Sequence, residues 1–315
     1  MHDVAVLLVG GHESADGDDF VRLRDAGLDA VPTPAGRALH NRATTLLAEG
    51  KTIVVVPMTF GRDVTMVADA AKTLNWLTPL HPGRIALAAS FGAPDHLSAW
   101  LRTAANRVSA VDPSAALLVQ IPRSNPFDEA EMHRVAYLVG TFGALPEIAV
   151  SVGVDRPAIE RSADRMRRLG HGSTAVVPGG FAAAPLLPDG DDVVSAGPLM
   201  SDSAIMRVVR ERVVDALADL ARGRDGMSAG LMADHGHGYA HSHAFEEAQG
   251  RGHSHGHGHS HSHSHGHGHS HSHDDDHSHS HDDGHAHDHS HGHSDDHTTD
   301  DHHGTAGHRV HDPAS

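Results

Sequence analysis

Apolar residues in this chain form short continuous runs that alternate with segments of helical periodicity. Continuous runs rich in Val, Ile and Leu are typical of strands that are buried on both faces of a parallel sheet. A strand that alternates with a helix along the chain indicates an α/β fold. Six such runs predict strands at residues 4–9, 52–56, 85–89, 116–121, 147–152 and 175–178.

The segments between these runs predict helices. Val64, Val67, Ala68 and Ala71, for example, recur at the spacing that places side chains on one face of a helix. An insertion rich in Gly, Pro and Ala, at residues 182–200, is either a lid over a site or a passive surface loop. The predicted helices lie at residues 34–49, 63–77, 95–108, 128–142, 157–169 and 202–222.

The order of strands and helices restarts after Asp112-Pro113. Leu7-Leu8-Val9 matches Leu117-Leu118-Val119 at the equivalent strand, and Ser14 corresponds to Ser124. We interpret these matches as an internal duplication that gives two similar, doubly wound βαβαβα lobes with a cleft between them. The predicted domains are a first lobe at residues 1–112, a second lobe at 113–225 and a tail at 226–315.

The composition changes near Gly226, after which His, Asp, Ser and Gly dominate and apolar residues are scarce. Such a segment buries too little surface to offset its loss of entropy on folding, so we expect disorder. Imidazole suits Zn, Cu, Ni and similar ions, and Asp adds oxygen ligands. The tail is predicted to buffer, store or deliver metal, or else to be a low-complexity segment with incidental metal affinity. Its candidate ligands recur at every second position, at His253, His255, His257, His259, His261, His263 and His265.

Charge and composition exclude several classes of function. The formal net charge is −17 and no basic stripe is present, so nucleic acid is not an expected partner. The absence of Cys excludes disulfides and thiolate metal sites. No apolar run approaches the ~20 residues of a membrane span, and no basic segment of a signal peptide precedes the first strand, so we expect a soluble cytoplasmic protein without a membrane partner. Neither a Gly-x-Gly-x-x-Gly nor a Walker motif is present, so ATP-driven work is not expected.

Two histidines of the globular part follow predicted strands. Ligands of open parallel sheets bind beyond the carboxyl ends of the strands, which is where His12 and His96 fall. A neutral imidazole binds a divalent metal and accepts a proton, so His12 is the main candidate, with Glu13 as a second ligand or base. The alternatives are that His12 only forms hydrogen bonds in a tight loop and that His96 is a surface residue at a helix start.

Charged residues follow the strands of both halves. Arg62 and Arg123 suit an anionic substrate, although each suits an ordinary salt bridge equally well. Asp63, beside Arg62, is either a site residue or a helix cap.

Four motifs taken in order resemble the sirohydrochlorin chelatases of the cobalamin and siroheme pathways. They are Val9-Gly10-Gly11-His12-Glu13-Ser14, the strand that ends at Pro57, Phe91-Gly92, and Asn125-Pro126-Phe127-Asp128. The resemblance covers residues 1–224 and is to actinobacterial members, some of which carry a histidine-rich segment as this chain does.

The resemblance implies a class II chelatase with two α/β lobes that needs neither ATP nor a cofactor. Such enzymes insert Co²⁺, or in relatives Fe²⁺ or Ni²⁺, into a tetrapyrrole held in the cleft. It also implies that His12 binds the metal and acts in catalysis with Glu13. The carboxylates of the substrate would be bound by residues of both halves, Ser14, Arg62, Arg123 and Ser124.

The chain departs from the family after its second predicted strand. The family has a second metal-binding histidine there, whereas this chain has Gly61-Arg62-Asp63. Either His96 or Glu13 replaces that histidine as a ligand, or the metal site has degenerated.

Three hypotheses follow. The first is a chelatase, for cobalt, with its own metal-supplying tail. The second is a metal-storage protein or metallochaperone on a chelatase-like fold. The third is a binding protein for a tetrapyrrole or similar anion, or an unrelated enzyme. Metal insertion separates the first two, and ligand binding that is unaffected by His12→Ala would indicate the third.

Overall fold

Two four-stranded parallel sheets form the centre of the computed structural model, which describes residues 3–188 and 190–236. The sheets have the orders β2-β1-β3-β4 and β6-β5-β7-β8, so the same topology occurs twice. The predicted α/β fold of two similar lobes is confirmed. The strands are β1 (Val4–Gly10), β2 (Val31–Pro34), β3 (Thr52–Pro57), β4 (Ile85–Leu87), β5 (Ala116–Ile121), β6 (Glu147–Val152), β7 (Thr174–Pro178) and β8 (Val193–Ser195).

Helices connect the successive strands up to β7, whereas β8 follows β7 with no helix among the described residues between them. No described helix is long and apolar enough to cross a membrane. Short 3-10 segments occur at His12–Phe20, Thr78–Leu80 and Ala233–Gly236. The α-helices are α1 (Val21–Asp25), α2 (Arg37–Ala48), α3 (Val64–Asn75), α4 (Pro94–Ser109), α5 (Pro126–Thr141), α6 (Arg156–Arg168), α7 (Asp202–Leu220) and α8 (Met227–Leu231).

Two strands were absent from the sequence prediction, and both lie at a sheet edge. β2 has the sequence Val-Pro-Thr-Pro, and proline removes a hydrogen-bond donor, which is tolerated at an edge. The predicted helix at 34–49 therefore starts too early, because Pro34 belongs to β2 and α2 begins at Arg37. β8 is a three-residue strand inside the 182–200 insertion, too short to give an apolar run.

The two sheets share one core. Leu8 and Val56 of the first sheet belong to the same buried cluster as Leu117 and Val119 of the second. Side chains of α4, α5 and α7 complete this cluster, while α2 and α3 cover the outer face of the first sheet and α6 covers that of the second. Because both faces of each sheet are covered, the central strands read as continuous apolar runs.

The last long helix of the second half packs on the first half. α7 contacts β3 and β4, and Ile205 and Val209 enter the shared core. Arg212 of α7 donates from Nε to the carbonyl of Ser90 at 2.9 Å and from Nη2 to that of Phe91 at 3.2 Å. The two halves therefore pack through α7 as well as through the shared core, and the domain boundary at residue 112 stays a prediction.

The segment just beyond Gly226, which the sequence analysis assigned to the tail, also packs on the first half. α8 contacts α3, and Met227 is only 3% exposed within the cluster on the outer face of the first sheet. This short helix has only three apolar residues, Met227, Ala229 and Leu231, which are too few to change the polar composition of the sequence around it. The candidate metal ligands from His253 to His265 lie outside the described residues.

The docking of α8 predicts that alanine substitutions at two glycines with similar φ angles destabilise the protein to different extents. Gly226 has φ +79° and a Cβ there would lie 2.0 Å from the Leu87 carbonyl oxygen, whereas Gly223 has φ +77° and nothing within 4 Å. We expect Gly223→Ala to lower the free energy of unfolding by about 1 kcal/mol through strain alone, and Gly226→Ala by roughly 2–4 kcal/mol. Urea denaturation measures both values. Equal losses in the two variants would contradict the docking of this segment.

Candidate functional site

The candidate site lies at the topological switch points of the two sheets. β1 and β3 are central neighbours whose connections leave to opposite sides, and β5 and β7 repeat this arrangement. Such switch points open a crevice at the carboxyl ends of the strands. Here the two crevices face each other, since the Phe181 amide donates to the Glu13 carbonyl at 3.2 Å and Arg62 Nη1 donates to the Gly179 carbonyl at 3.1 Å.

His12 lies between two carboxylates, one from each half of the chain. Its Nδ1 is 2.9 Å from Asp63 Oδ2, and its Nε2 is 3.0 Å from Asp128 Oδ2. The His12 backbone amide also donates to Asp63 Oδ2, at 3.1 Å. The side chain of His12 keeps 20% of its surface exposed.

Asp63 can approach His12 closely because Gly11, the residue before His12, has no side chain. A Cβ at Gly11 would lie 2.0 Å from Asp63 Oδ2, so only glycine permits this approach. Asp63 also caps α3, with Oδ1 accepting from the Met66 amide at 3.1 Å. It is therefore both a helix cap and a neighbour of the imidazole.

The charged forms of His12, Asp63 and Asp128 stabilise one another. Burial by itself lowers the pKa of His12, but hydrogen bonding and charge from Asp128 and Asp63 outweigh it and raise that pKa to about 9. Burial would raise the pKa of both carboxyls, yet His12, with Arg62 and Ser124 at Asp128, holds both pKa values below their usual range. At neutral pH the group is an imidazolium between two ionised carboxylates.

Arg62, which the sequence analysis assigned to substrate binding, joins the two halves of the chain. Its side chain is fully buried and forms a two-pronged ion pair with Asp128, with Nε 2.7 Å from Oδ1 and Nη2 2.8 Å from Oδ2. Nη1 lies 3.8 Å from Glu13 Oε2. A guanidinium enclosed in this way is not accessible to a ligand, and it joins the first half to the second. Ser124 Oγ donates to the same Asp128 carboxylate.

Glu13 faces the interior rather than open solvent. It accepts from the Thr59 hydroxyl, and both of its oxygens lie 3.2 Å from the Phe60 amide. Burial raises the pKa of Glu13, and the charge of Arg62 offsets part of that effect. Thr59 in turn accepts from the backbone amides of Gly61, Arg62 and Asp63. This geometry indicates that Glu13 shapes the loop after β3, and its catalytic role stays a prediction.

A cavity of about 250 Å³ opens beside His12. Its walls come from the His12–Phe20 segment, the ends of β5 and β7, and the first residues of the 182–200 insertion. They are mainly apolar, with Pro122, Val154 and Phe181 among them. Ala15, also in the wall, has φ +47°, a conformation that costs energy and is enriched at functional sites.

The remaining predicted residues lie in three different environments. Ser14 is fully buried and donates to the Gly11 carbonyl at 3.3 Å, and its role in substrate binding stays a prediction. Arg123 is exposed just after β5. His96 is exposed and its Nδ1 accepts from the Ala93 amide at 3.0 Å at the start of α4; none of the contacts described for it joins it to His12.

Sequence reasoning missed Asp128 as a site residue. It appeared only within the Asn125-Pro126-Phe127-Asp128 motif, in the first turn of α5. Like Asp63, it is an acidic residue at the start of a helix that follows a central strand, and this was the available signal.

Within the described part of the chain, no group of three or more His, Asp or Glu side chains converges on a point that could hold a metal ion. The reason lies in the ring of His12, whose two nitrogens face different carboxylates. A metal ion that binds His12 must therefore replace a proton and one carboxylate contact.

Comparisons with known proteins give fold-level similarity alone. No protein-family model matches the chain, and no curated protein matches it. The structure of SirB from Bacillus subtilis with Fe³⁺ is 14% identical, with 71% of this chain and 99% of that chain covered and a TM-score of 0.45. The sirohydrochlorin chelatase SirB from Bacillus subtilis subspecies spizizenii in complex with cobalt is 12% identical, with the same coverage and a TM-score of 0.41.

The raised pKa of His12 predicts a pH dependence of stability in metal-free protein. A histidine whose pKa is raised by folding stabilises the folded state fully at pH values below its ordinary pKa of ~6.5. This contribution is lost as the pH rises through about 9, the pKa of His12 in the folded protein. Between about pH 6 and pH 10 we expect the wild type to lose roughly 1–3 kcal/mol more unfolding free energy than His12→Asn. Urea denaturation with a chelator present measures this difference. Parallel pH profiles would show that the carboxylates do not hold the imidazolium.

The burial of Arg62 predicts that its loss destabilises the protein. Arg62→Met leaves Asp128 without its buried cation, so we expect a loss of about 3–5 kcal/mol in the free energy of unfolding. Arg123→Met is the matched control, because Arg123 is exposed and its loss should cost less than about 0.5 kcal/mol. Similar small effects in both variants would contradict the role of Arg62 in joining the halves.

Proposed function

We propose that this protein inserts a divalent metal ion, cobalt in the first instance, into sirohydrochlorin or a related tetrapyrrole without ATP. The observation that carries the proposal is the imidazole of His12, held between Asp63 and Asp128 at the edge of a cavity between the two switch points. Insertion requires a group that binds an ion, releases it and takes up a proton, and imidazole does all three.

Metal binding begins with the loss of the His12 proton. One imidazole nitrogen and carboxylate oxygens are ligands that suit Co²⁺, Fe²⁺ and Ni²⁺. Asp63 follows β3, at the place where the resemblance expects a second histidine, and it lies 2.9 Å from Nδ1. We therefore propose Asp63, rather than His96 or Glu13, as the partner of His12 in binding the substrate metal.

Transfer of the ion to the macrocycle releases two pyrrole N–H protons. When the ion leaves His12, the neutral imidazole accepts one of these protons and the other passes to solvent. The imidazolium is then stabilised again by Asp63 and Asp128, which favours completion of the transfer. In this cycle the two carboxylates set the proton affinity of His12, and the metal is a substrate.

The tetrapyrrole would occupy the cavity beside His12, whose apolar walls suit the face of a macrocycle. The volume of about 250 Å³ is below the range of about 300–1,000 Å³ that is usual for ligand sites. The residues after Phe181 form part of the wall, so their displacement would enlarge the cavity, as a lid does. We further propose that the histidine-rich tail supplies or buffers the metal.

A metal-storage protein or metallochaperone is the second candidate. It is favoured by the described residues around His12, which do not converge into a metal site with three ligands. Such a protein would bind metal without catalysing insertion.

Catalysed insertion distinguishes these functions. We expect the full chain with Co²⁺ and sirohydrochlorin to show the absorbance change of insertion well above the uncatalysed rate, and His12→Ala to lose roughly 100-fold or more. His40→Ala is the matched control, because His40 is an exposed histidine of α2. No acceleration with Co²⁺, Fe²⁺ or Ni²⁺ would favour metal storage instead.

A further inference from the structure

Gln120 is a polar residue in an otherwise apolar strand. β5 has the sequence Ala-Leu-Leu-Val-Gln-Ile, and every residue in it is buried. Gln120 is 6% exposed and pairs with Ser151 on one side and Pro178 on the other. Packing alone would favour an apolar side chain here, so the amide calls for another explanation.

The orientation of this amide is fixed by a neighbour. The backbone N–H of Leu186, in the 182–200 insertion, donates to Gln120 Oε1 at 3.1 Å. Since a backbone N–H only donates, the oxygen must face Leu186 and the NH₂ group must face away from it. The Nε2 atom is buried and has no hydrogen-bond partner among the described residues.

Gln120 lines the same cavity as His12. The chain just after β1 forms one side of this cavity, where Asp19 is acidic and where the Glu13 carboxylate is turned inward onto Thr59 and Arg62. Gln120 lies on the opposite sheet, where the neighbouring walls are formed by Pro122 and Val154. A ligand carboxylate would avoid the Asp19 carboxylate and would be received by the amide N–H of Gln120, which has no hydrogen-bond partner among the described residues.

We propose that Gln120 binds the substrate, donating a hydrogen bond from Nε2 to a peripheral carboxylate of the tetrapyrrole in this cavity. The inference rests on the proposed function and adds the residue that orients the macrocycle. Because Leu186 sets the direction of the amide, the start of the 182–200 insertion takes part in that orientation without touching the carboxylate.

The test compares Gln120→Glu with Gln120→Met in the full chain. Glu replaces the donor by an acceptor of the same shape, and Met removes the polar group at similar volume. Asn106→Asp is the matched control, because it makes the same amide-to-acid change at an exposed position of α4. The probes are metal-free sirohydrochlorin and its methyl ester, titrated by absorbance with the thermal unfolding of each variant recorded.

For the free acid we expect Kd to rise about 10-fold or more in Gln120→Glu and several-fold in Gln120→Met, with no change in Asn106→Asp. For the ester, Gln120→Glu should change Kd by less than about 3-fold, because the anion that it repels is gone. In the insertion reaction KM for the tetrapyrrole should rise while kcat is kept.

Equal weakening for acid and ester would indicate a deformed cavity and would overturn the proposal. Unchanged binding of the acid by both variants would also overturn it, while leaving the chelatase function intact. Failure of the wild type to bind either probe would overturn both. If Gln120→Glu does not fold, Gln120→Met decides the matter alone.

Discussion

The buried ion pair between Arg62 and Asp128 is the interaction on which the rest of the site depends. The guanidinium comes from the loop after β3, and the carboxylate comes from the first turn of α5 in the other half. The pair fixes Asp128 where it faces Nε2 of His12, and it closes the contact between the two switch points. A carboxylate buried without such a cation would take up a proton and lose its hold on the imidazole.

In the proposed function this arrangement gives His12 two states. In one the imidazole carries a proton, and in the other it binds the metal ion. With Asp63 and Asp128 ionised, the imidazole keeps its proton at neutral pH. In the proposed function a divalent ion has to displace that proton before it binds to the imidazole, and Asp63 then contributes an oxygen ligand. The carboxylates therefore act at both ends of the transfer, because they also favour the return of a proton to His12 when the ion leaves.

The sequence allowed prediction of the duplication and of the edge where the chemistry lies, since both follow from apolar periodicity and strand direction. It could not show which way side chains at the strand ends point. Arg62 and Ser14 were assigned to substrate for this reason, yet both turn inward and bind protein groups. Asp128 was missed because its contact with His12 joins residues far apart in the chain, and no local pattern carries that information.

Among the described residues, the two halves of the duplication contribute different groups to the proposed site. The first half has His12-Glu13-Ser14 after its first strand, and the second has Pro122-Arg123-Ser124 at the equivalent place. Ser14 and Ser124 correspond, but Ser14 closes a turn whereas Ser124 supports Asp128. The second half thus lacks an imidazole at this position and instead supplies groups that face the first half, Asp128 at the ring of His12 and Gln120 across the cavity. Because the two halves are joined in one chain, neither half has to form a complete site alone. The loops after the equivalent strands β1 and β5 can therefore have different roles.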